Sequence, residues 1–133
     1  MTDERFEQLV SEGIEAIPSK FLEKLKNVAV VTADEPTEEQ LQENSIPEGE
    51  TLLGLYEGIP LVERGESYGG MALPDKITIF KLPVLEEAGE DENEIRRVVK
   101  ETVWHEIAHY FGYRDDEIED LKRKIAEMEN RRQ

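Results

Sequence analysis

The chain has 133 residues, no cysteine and a net charge of −16, with 32 acidic residues against 16 basic ones. This length predicts one domain with a single core, spanning residues 1–133. The missing cysteines exclude disulfide bonds and thiolate metal sites. The acidic excess disfavours nucleic acid and membrane surfaces as partners, because both are polyanions. It is typical of a highly soluble protein and leaves room for a preference for cationic substrates.

The N-terminal stretch MTDERFEQLVSEG is acidic and amphipathic, and it lacks the basic start and apolar run of a signal peptide. No apolar run elsewhere approaches the roughly 20 residues that span a membrane. We therefore expect a cytoplasmic protein.

The first half of the chain predicts two helices and two strands. Apolar residues at helical spacing predict a helix over 3–16, and the proline at 18 predicts the start of a short second helix. VAVVT (28–32) is rich in β-branched residues and predicts a buried strand, and LLGLYEG (52–58) predicts another. Between them, 34–50 carries seven acids, no base and two prolines, which predicts a solvated loop.

The second half predicts one more strand and two long helices, after a turn-rich segment at 58–75 that could hold a short hairpin. KITIFKLP (76–83) alternates as a strand does, with Pro83 expected to end it. A helix is expected from near Asp91, apolar on most sides at its end and therefore sunk in the core. A last amphipathic helix is expected over 115–128. Helices flanking a few strands indicate an α+β fold.

Both histidines of the chain lie in the sequence WHEIAHYFGYRDDE, which spans 104–117. His105 and His109 are four residues apart, so on a helix their side chains share one face and can bind one cation. Gly112 permits a sharp turn that would bring Asp115 to the same cation as a third ligand. Three protein ligands leave one position for water, as a catalytic zinc requires.

Glu106, next to the first histidine, is the candidate general base for that water. Zinc lowers the pKa of its water to about 7, so the expected reaction is hydrolysis of a peptide bond by metal-activated water. Two histidines fall four apart by chance in about 1.5 of 100 random placements in a chain of this length. A buried helix is also a costly place for these polar side chains unless a ligand satisfies them.

The third ligand has alternatives in the sequence. Asp115 could instead cap the last helix, but Asp116 can do so too, with Glu119 completing a capping box. Asp115 is therefore preferred over Asp116, Glu117 or Glu119 as the ligand, on the geometry of the glycine turn.

Four other residues of this segment could have a functional or a purely structural role. Tyr110 and Tyr113 flank the ligands and could stabilise an oxyanion on the substrate, or simply pack in the fold. Trp104 is expected in the core, and Arg114 is expected to pair with nearby acids.

Three segments together resemble a known family. They are LLGLYEGIPLVERG (52–65), LPDKITIFKLPVLEE (73–87) and HEIAHYFGYRDDE (105–117), in that order. The chain resembles the minimal zincin-like metallopeptidases, small bacterial proteins predicted to be zinc-dependent proteases. The resemblance covers most of residues 1–120.

The resemblance implies zinc bound by His105, His109 and Asp115, with Glu106 as the catalytic glutamate. It also implies a minimal zincin-like fold, in which a small mixed β-sheet packs against the active-site helix between N- and C-terminal helices. Zincins bind a peptide along an exposed strand edge, which offers unpaired backbone groups.

The sequence offers two candidates for that edge, the strand at 77–82 and the irregular stretch at 68–73. The acidic loop at 34–50 could gate the cleft. The small chain leaves few walls for a deep cleft, so we expect short peptides or unfolded proteins as substrates.

Two other functions remain open. The protein could be a non-catalytic zinc-binding adaptor, or hold a structural zinc with Glu117 or Glu119 as the fourth ligand. A metal-dependent RNA endonuclease with H-x-x-x-H-x-x-x-x-x-H is the less favoured alternative. Here the third position is Asp115 and the charge is −16, with no cationic path for a phosphodiester.

Overall fold

The computed structural model describes residues 1–25, 27–58 and 75–131, without the side chains of 125, 126 and 128–131. The predicted hairpin within 58–75 therefore lies outside the described residues, except for residues 58 and 75. The candidate edge at 68–73 lies outside them entirely. The described elements, in chain order, are α1 (Asp3–Glu15), α2 (Ser19–Leu22), β1 (Val28–Ala33), α3 (Glu38–Glu43), β2 (Gly54–Glu57), β3 (Asp75–Phe80), α4 (Lys81–Ala88), α5 (Glu92–Tyr110) and α6 (Asp115–Arg131).

The three strands form one mixed sheet in the order β1-β3-β2. Strand β3 runs parallel to β1, with Val30 opposite Ile77, and antiparallel to β2, with Tyr56 opposite the same isoleucine. The α+β fold with a small mixed sheet is therefore confirmed. Because β3 is hydrogen-bonded on both sides, the expectation that 77–82 offers a free edge to a peptide is wrong.

Helix α5 packs against the sheet and against α1, and the main core lies between them. Trp104 lies in this core as expected, with its ring in edge contact with Phe21 at 5.2 Å between centroids. Burial of a large apolar side chain contributes about 1.5–3 kcal/mol, so this layer supplies most of the stability that holds α5 in place. The fully buried side chains include Phe6, Leu9, Ile77, Ile79, Val99, Val103 and Ile107.

Two helices were missed by the sequence prediction. Pro83 does not end the third strand, because β3 already ends at Phe80 and α4 begins at the next residue. The proline is the third residue of α4, where a backbone N–H would have no partner within the helix, so its missing N–H costs nothing there.

The other missed helix lies in the acidic segment 34–50, which is only partly a loop. Helix α3 starts with a capping box between Thr37 and Gln40, and has no buried residue, so the expected solvation is correct. The amide of Gln40 also donates to Glu57 at 3.0 Å, which links α3 to the end of β2. No helix in the described part of the chain is both long and apolar enough to cross a membrane.

Candidate metal centre

Helix α5 carries both histidines and begins where the sequence predicted. Asp91 caps it, since its carboxylate accepts a hydrogen bond from the backbone N–H of Asn93 at 3.0 Å. The acids in its first turn and His109 in its last turn both suit the helix dipole.

The end of α5 is fixed by a tight backbone reversal directly after the second histidine. The N–H of Gly112 donates to the carbonyl of His109 at 2.9 Å, and the N–H of Tyr113 donates to the carbonyl of Ala108 at 3.1 Å. This pair of bonds is a Schellman motif, which requires a left-handed residue, and Gly112 has φ +86°. The chain turns back at once, so α6 begins beside the histidines.

Three side chains converge at this turn. The Nε2 atoms of His105 and His109 lie 3.1 Å apart, and Oδ1 of Asp115 lies 3.4 and 3.3 Å from them, respectively. Two ligands of a tetrahedral zinc, each at about 2.0–2.1 Å, are about 3.3–3.4 Å apart. The three atoms are thus already spaced as ligands of one small cation, and this group could hold a metal ion.

The start of α6 explains why Asp115 can face the histidines. Asp115 is the first residue of the helix, and the backbone N–H of the preceding Arg114 is capped by the carboxylate of Glu117 at 3.1 Å. The expected capping box between Asp116 and Glu119 is therefore wrong. Arg114 pairs with Glu117 at 3.1 Å and Asp116 at 3.6 Å, as expected of its neighbours.

Glu106 lies beside this group but is almost completely buried, with 7% of its surface exposed. Burial raises the pKa of its carboxyl to about 7, and the negative charge of Asp115 adds to the rise. A hydrogen bond from the backbone N–H of Tyr56 acts in the opposite direction, because it favours the carboxylate. This acid can therefore exist in both protonation states near neutral pH.

His105 is held in the form that binds metals. Burial is the largest cause that lowers the pKa of its imidazole, followed by the neighbouring His109 and the ammonium of Lys122. Since a metal binds the neutral ring, a lowered pKa keeps this nitrogen available to more acidic pH.

The comparison with known proteins agrees with this geometry. A family model described as zincin-like metallopeptidase matches residues 25–125. The chain belongs to the zincin-like metallopeptidase family. A solved structure of a conserved hypothetical protein from T. thermophilus is similar to this zincin-like chain, with 29% sequence identity and a TM-score of 0.56. The likeness covers 84% of this chain and 94% of that one. No curated protein matches the chain at a significant level.

The donor set of this zincin-like protein fits zinc. Two imidazole nitrogens and one carboxylate oxygen are ligands that zinc accepts, and three of them leave room for a fourth ligand. Asp115 is largely exposed and the two histidines are about one-third exposed, so a solvent molecule or substrate can reach the point between them.

The two candidate oxyanion donors differ in position. Tyr110 is fully buried, and its ring contacts the rings of Tyr56 and Phe111 at 6.1 and 5.1 Å between centroids. Tyr113 is half-buried and follows the glycine of the turn. Of the two tyrosines, only Tyr113 is partly exposed to solvent.

A cavity of about 310 Å³ adjoins His105, one of the three candidate ligands. Its wall combines the start of β2 with the side of α5, and it reaches His105 and Glu106. This cavity and the contact between β2 and Glu106 were not predicted from the sequence. The available signal was Gly54 inside a predicted strand, because glycine there often marks a close backbone approach. Other residues on the wall are Thr51, Leu52, Leu53, Glu87, Arg97, Val98, Glu101, Thr102 and Lys122.

Proposed function

We propose that the protein is a zinc-dependent peptidase. The observation that supports this best is the convergence of three ligand atoms within 3.1–3.4 Å of one another, next to a buried acid that titrates near neutrality. We propose His105, His109 and Asp115 as the zinc ligands and Glu106 as the general base. Zinc, when bound there, supplies a Lewis acid that makes water easy to deprotonate at neutral pH.

Glu106 is the proposed general acid and base of the reaction. A catalytic acid or base acts best when its pKa lies near the working pH, and the pKa of Glu106 is about 7. As a carboxylate it takes a proton from the attacking water. As a carboxylic acid it returns that proton to the nitrogen of the departing amine when the peptide bond breaks. The products are a carboxylate and an amine, so atoms and charges balance.

Stabilisation of the oxyanion that forms on the attacked carbonyl is proposed for Tyr113 rather than Tyr110. A phenol hydroxyl at the surface can approach a substrate, whereas the side chain of Tyr110 is fully enclosed. Tyr113 is proposed because it directly follows Gly112 of the turn that brings Asp115 to the histidines.

A short or unfolded peptide is the proposed substrate. The cavity beside Glu106 is near the small end of ligand pockets, which hold about 300–1,000 Å³, so it suits one or two residues of an extended chain. The net charge of −16 supports peptides with cationic residues over nucleic acid. The cytoplasm remains the proposed location, because a chain without cysteine has no disulfide to gain elsewhere.

The structural-zinc alternative needs a fourth protein ligand, and both expected donors are engaged. The carboxylate of Glu117 binds the backbone and guanidinium of Arg114. Glu119 lies 3.6 Å from the ammonium of Lys122. Among the described residues, the ligand group holds three members and no fourth.

The test is a Glu106→Gln variant, prepared beside wild type and a Glu94→Gln control on the exposed side of the same helix. We expect all three proteins to hold the same amount of zinc. Turnover of a peptide library should fall about 10²–10⁴-fold in Glu106→Gln only, the range over which a general base contributes. Near-wild-type turnover in Glu106→Gln would contradict the proposed role.

A further inference from the structure

Strand β2 approaches helix α5 more closely at Gly54 than a side chain would allow. A Cβ atom on this residue would lie 2.7 Å from Cγ2 of Thr102 and 3.1 Å from Cγ of Glu106. It would also lie 3.3 Å from the backbone oxygen of Thr78. Carbon atoms in contact are about 3.5–4.0 Å apart, so with any other residue here the side chains of Thr102 and Glu106, the strand or the helix must shift.

The same short strand holds the carboxylate of Glu106. Two residues after Gly54, the backbone N–H of Tyr56 donates to that carboxylate. Gly54 and Tyr56 face the same side of the sheet, since side chains alternate along a strand. The strand cannot shift easily, because these residues pair with Ile79 and Ile77 of β3, both fully buried.

We propose that Gly54 is a positioning residue for Glu106. Its missing side chain lets β2 lie close enough to α5 for the Tyr56 amide to hold the Glu106 carboxylate. The amide satisfies one oxygen of a buried acid and limits the rotamers of its side chain. The effect of Gly54 on catalysis rests on the proposed peptidase function, whereas the contact between β2 and α5 does not.

The positioning matters because proton transfer depends steeply on distance. A displacement of about 1 Å in a catalytic group can lower a rate by about 10²-fold. The proposed zinc ligands belong to a different part of the chain, since all three lie in the segment 105–115 on α5 and α6. A change at Gly54 should therefore lower turnover while zinc binding stays the same.

The experiment uses Gly54→Ala and the double variant Gly54→Ala/Thr102→Ser. Serine lacks the Cγ2 atom at 2.7 Å but keeps a hydroxyl to bond the carbonyl of Val98, as Thr102 does at 2.7 Å. The first readout is the amide proton shift of Tyr56 in ¹H–¹⁵N NMR spectra, with Glu106→Ala as the reference for an amide without its carboxylate. Zinc content, kcat and KM are measured on the same preparations.

We expect Gly54→Ala to move the Tyr56 amide shift toward that of Glu106→Ala, with zinc content unchanged and kcat lowered about 10²-fold. The double variant should restore both the shift and kcat toward wild type. Gly13→Ala is the matched control, because a Cβ at this other glycine would meet neighbours at 3.4–3.7 Å, an ordinary contact. It should leave the Tyr56 amide unchanged.

An unchanged Tyr56 amide in Gly54→Ala would overturn the proposal. If Gly54→Ala does not fold, a folded double variant with a wild-type amide shift supports it, and a double variant that also fails to fold overturns it. The NMR result is independent of turnover. A wild-type protein that cleaves no peptide would count against the peptidase function, while the amide shifts would still decide the role of Gly54.

Discussion

The Nε2 atoms of His105 and His109 face each other at 3.1 Å, with their rings nearly perpendicular at 73°. At this distance, one nitrogen can donate a proton to the other, or both can bind one cation. A shared cation would also account for the position of Oδ1 of Asp115, which lies 3.3–3.4 Å from both nitrogens. The arrangement is therefore one that could hold a metal ion without rearrangement of these three side chains.

Replacement of Asp115 by alanine should weaken zinc binding strongly. Loss of an outer partner of a metal ligand typically lowers affinity 10–100-fold, so loss of a direct ligand should cost at least about 100-fold. Isothermal titration with zinc, on protein purified without a histidine tag, measures the change. Asp116→Ala is the control, because this neighbour is equally exposed and contacts Arg114 rather than the histidines. Equal affinities for the two variants would mean that Asp115 is not a ligand.

Replacement of Gly112 by alanine should destabilise the fold and also weaken zinc binding. A left-handed conformation costs an L-residue about 1–2 kcal/mol, and this turn brings Asp115 to the histidines. Gly49→Ala is a matched control, because Gly49 has φ +87° and a Cβ there would meet nothing within 4 Å. Urea unfolding should show a similar loss in both variants, and zinc titration should show weaker binding in Gly112→Ala only.

The metal-free protein should become less stable as pH rises through the range in which Glu106 ionises. The pKa of Glu106 is raised from 4.5 to about 7, so its contribution is fully present below pH 4.5 and is lost as pH rises through 7. A shift of this size corresponds to about 3 kcal/mol. Glu106→Gln should lack this loss, and therefore be more stable than wild type at pH 8 by about that amount. Urea unfolding of both apoproteins between pH 5 and 8 tests this, and parallel pH profiles would contradict it.

Removal of zinc should leave the protein folded. The main core is formed by α1, α5 and the sheet, and it does not depend on the ligands that face solvent. Chelation should therefore lower the free energy of unfolding by the binding term alone, about 2.7 kcal/mol when free zinc is 100 times Kd, and lower the melting temperature accordingly. Far-UV circular dichroism before and after EDTA measures this. Loss of the helical signal at 25 °C would favour a structural zinc.

The site was largely predictable because its signals are local. The two histidines, Gly112 and Asp115 lie within one segment, and a helix followed by a glycine turn is enough to bring them together. Helix α3 was equally local, since Thr37 and Gln40 form the T-x-x-Q pattern of a capping box, but the acidic composition favoured a loop.

The features that could not be predicted depend on contacts between distant parts of the chain. Strand order is not encoded in the alternation of a single strand, so β3 could not be placed in the centre of the sheet, nor excluded as a free edge. The residues just before Pro83 suited either the end of a strand or the start of a helix, because proline is tolerated in the first turn of a helix. In the structure they start α4, whose Val84 is buried in the core. The hydrogen bond from Tyr56 to Glu106 could not be predicted for the same reason, because every residue except proline has a backbone N–H and the sequence does not show which one lies near Glu106.

The tight turn at Gly112 also makes one of the two contacts of the candidate site much more local in the chain than the other. His105 and Asp115 are ten positions apart, whereas Tyr56 and Glu106 are fifty apart. Loop closure costs about 0.6 kcal/mol for each doubling of length, so the longer contact costs about 1.4 kcal/mol more chain entropy. We therefore expect the three candidate ligands to come together before β2 docks against Glu106 during folding. If the protein is the proposed peptidase, it would then be able to bind its metal before its general base is in position.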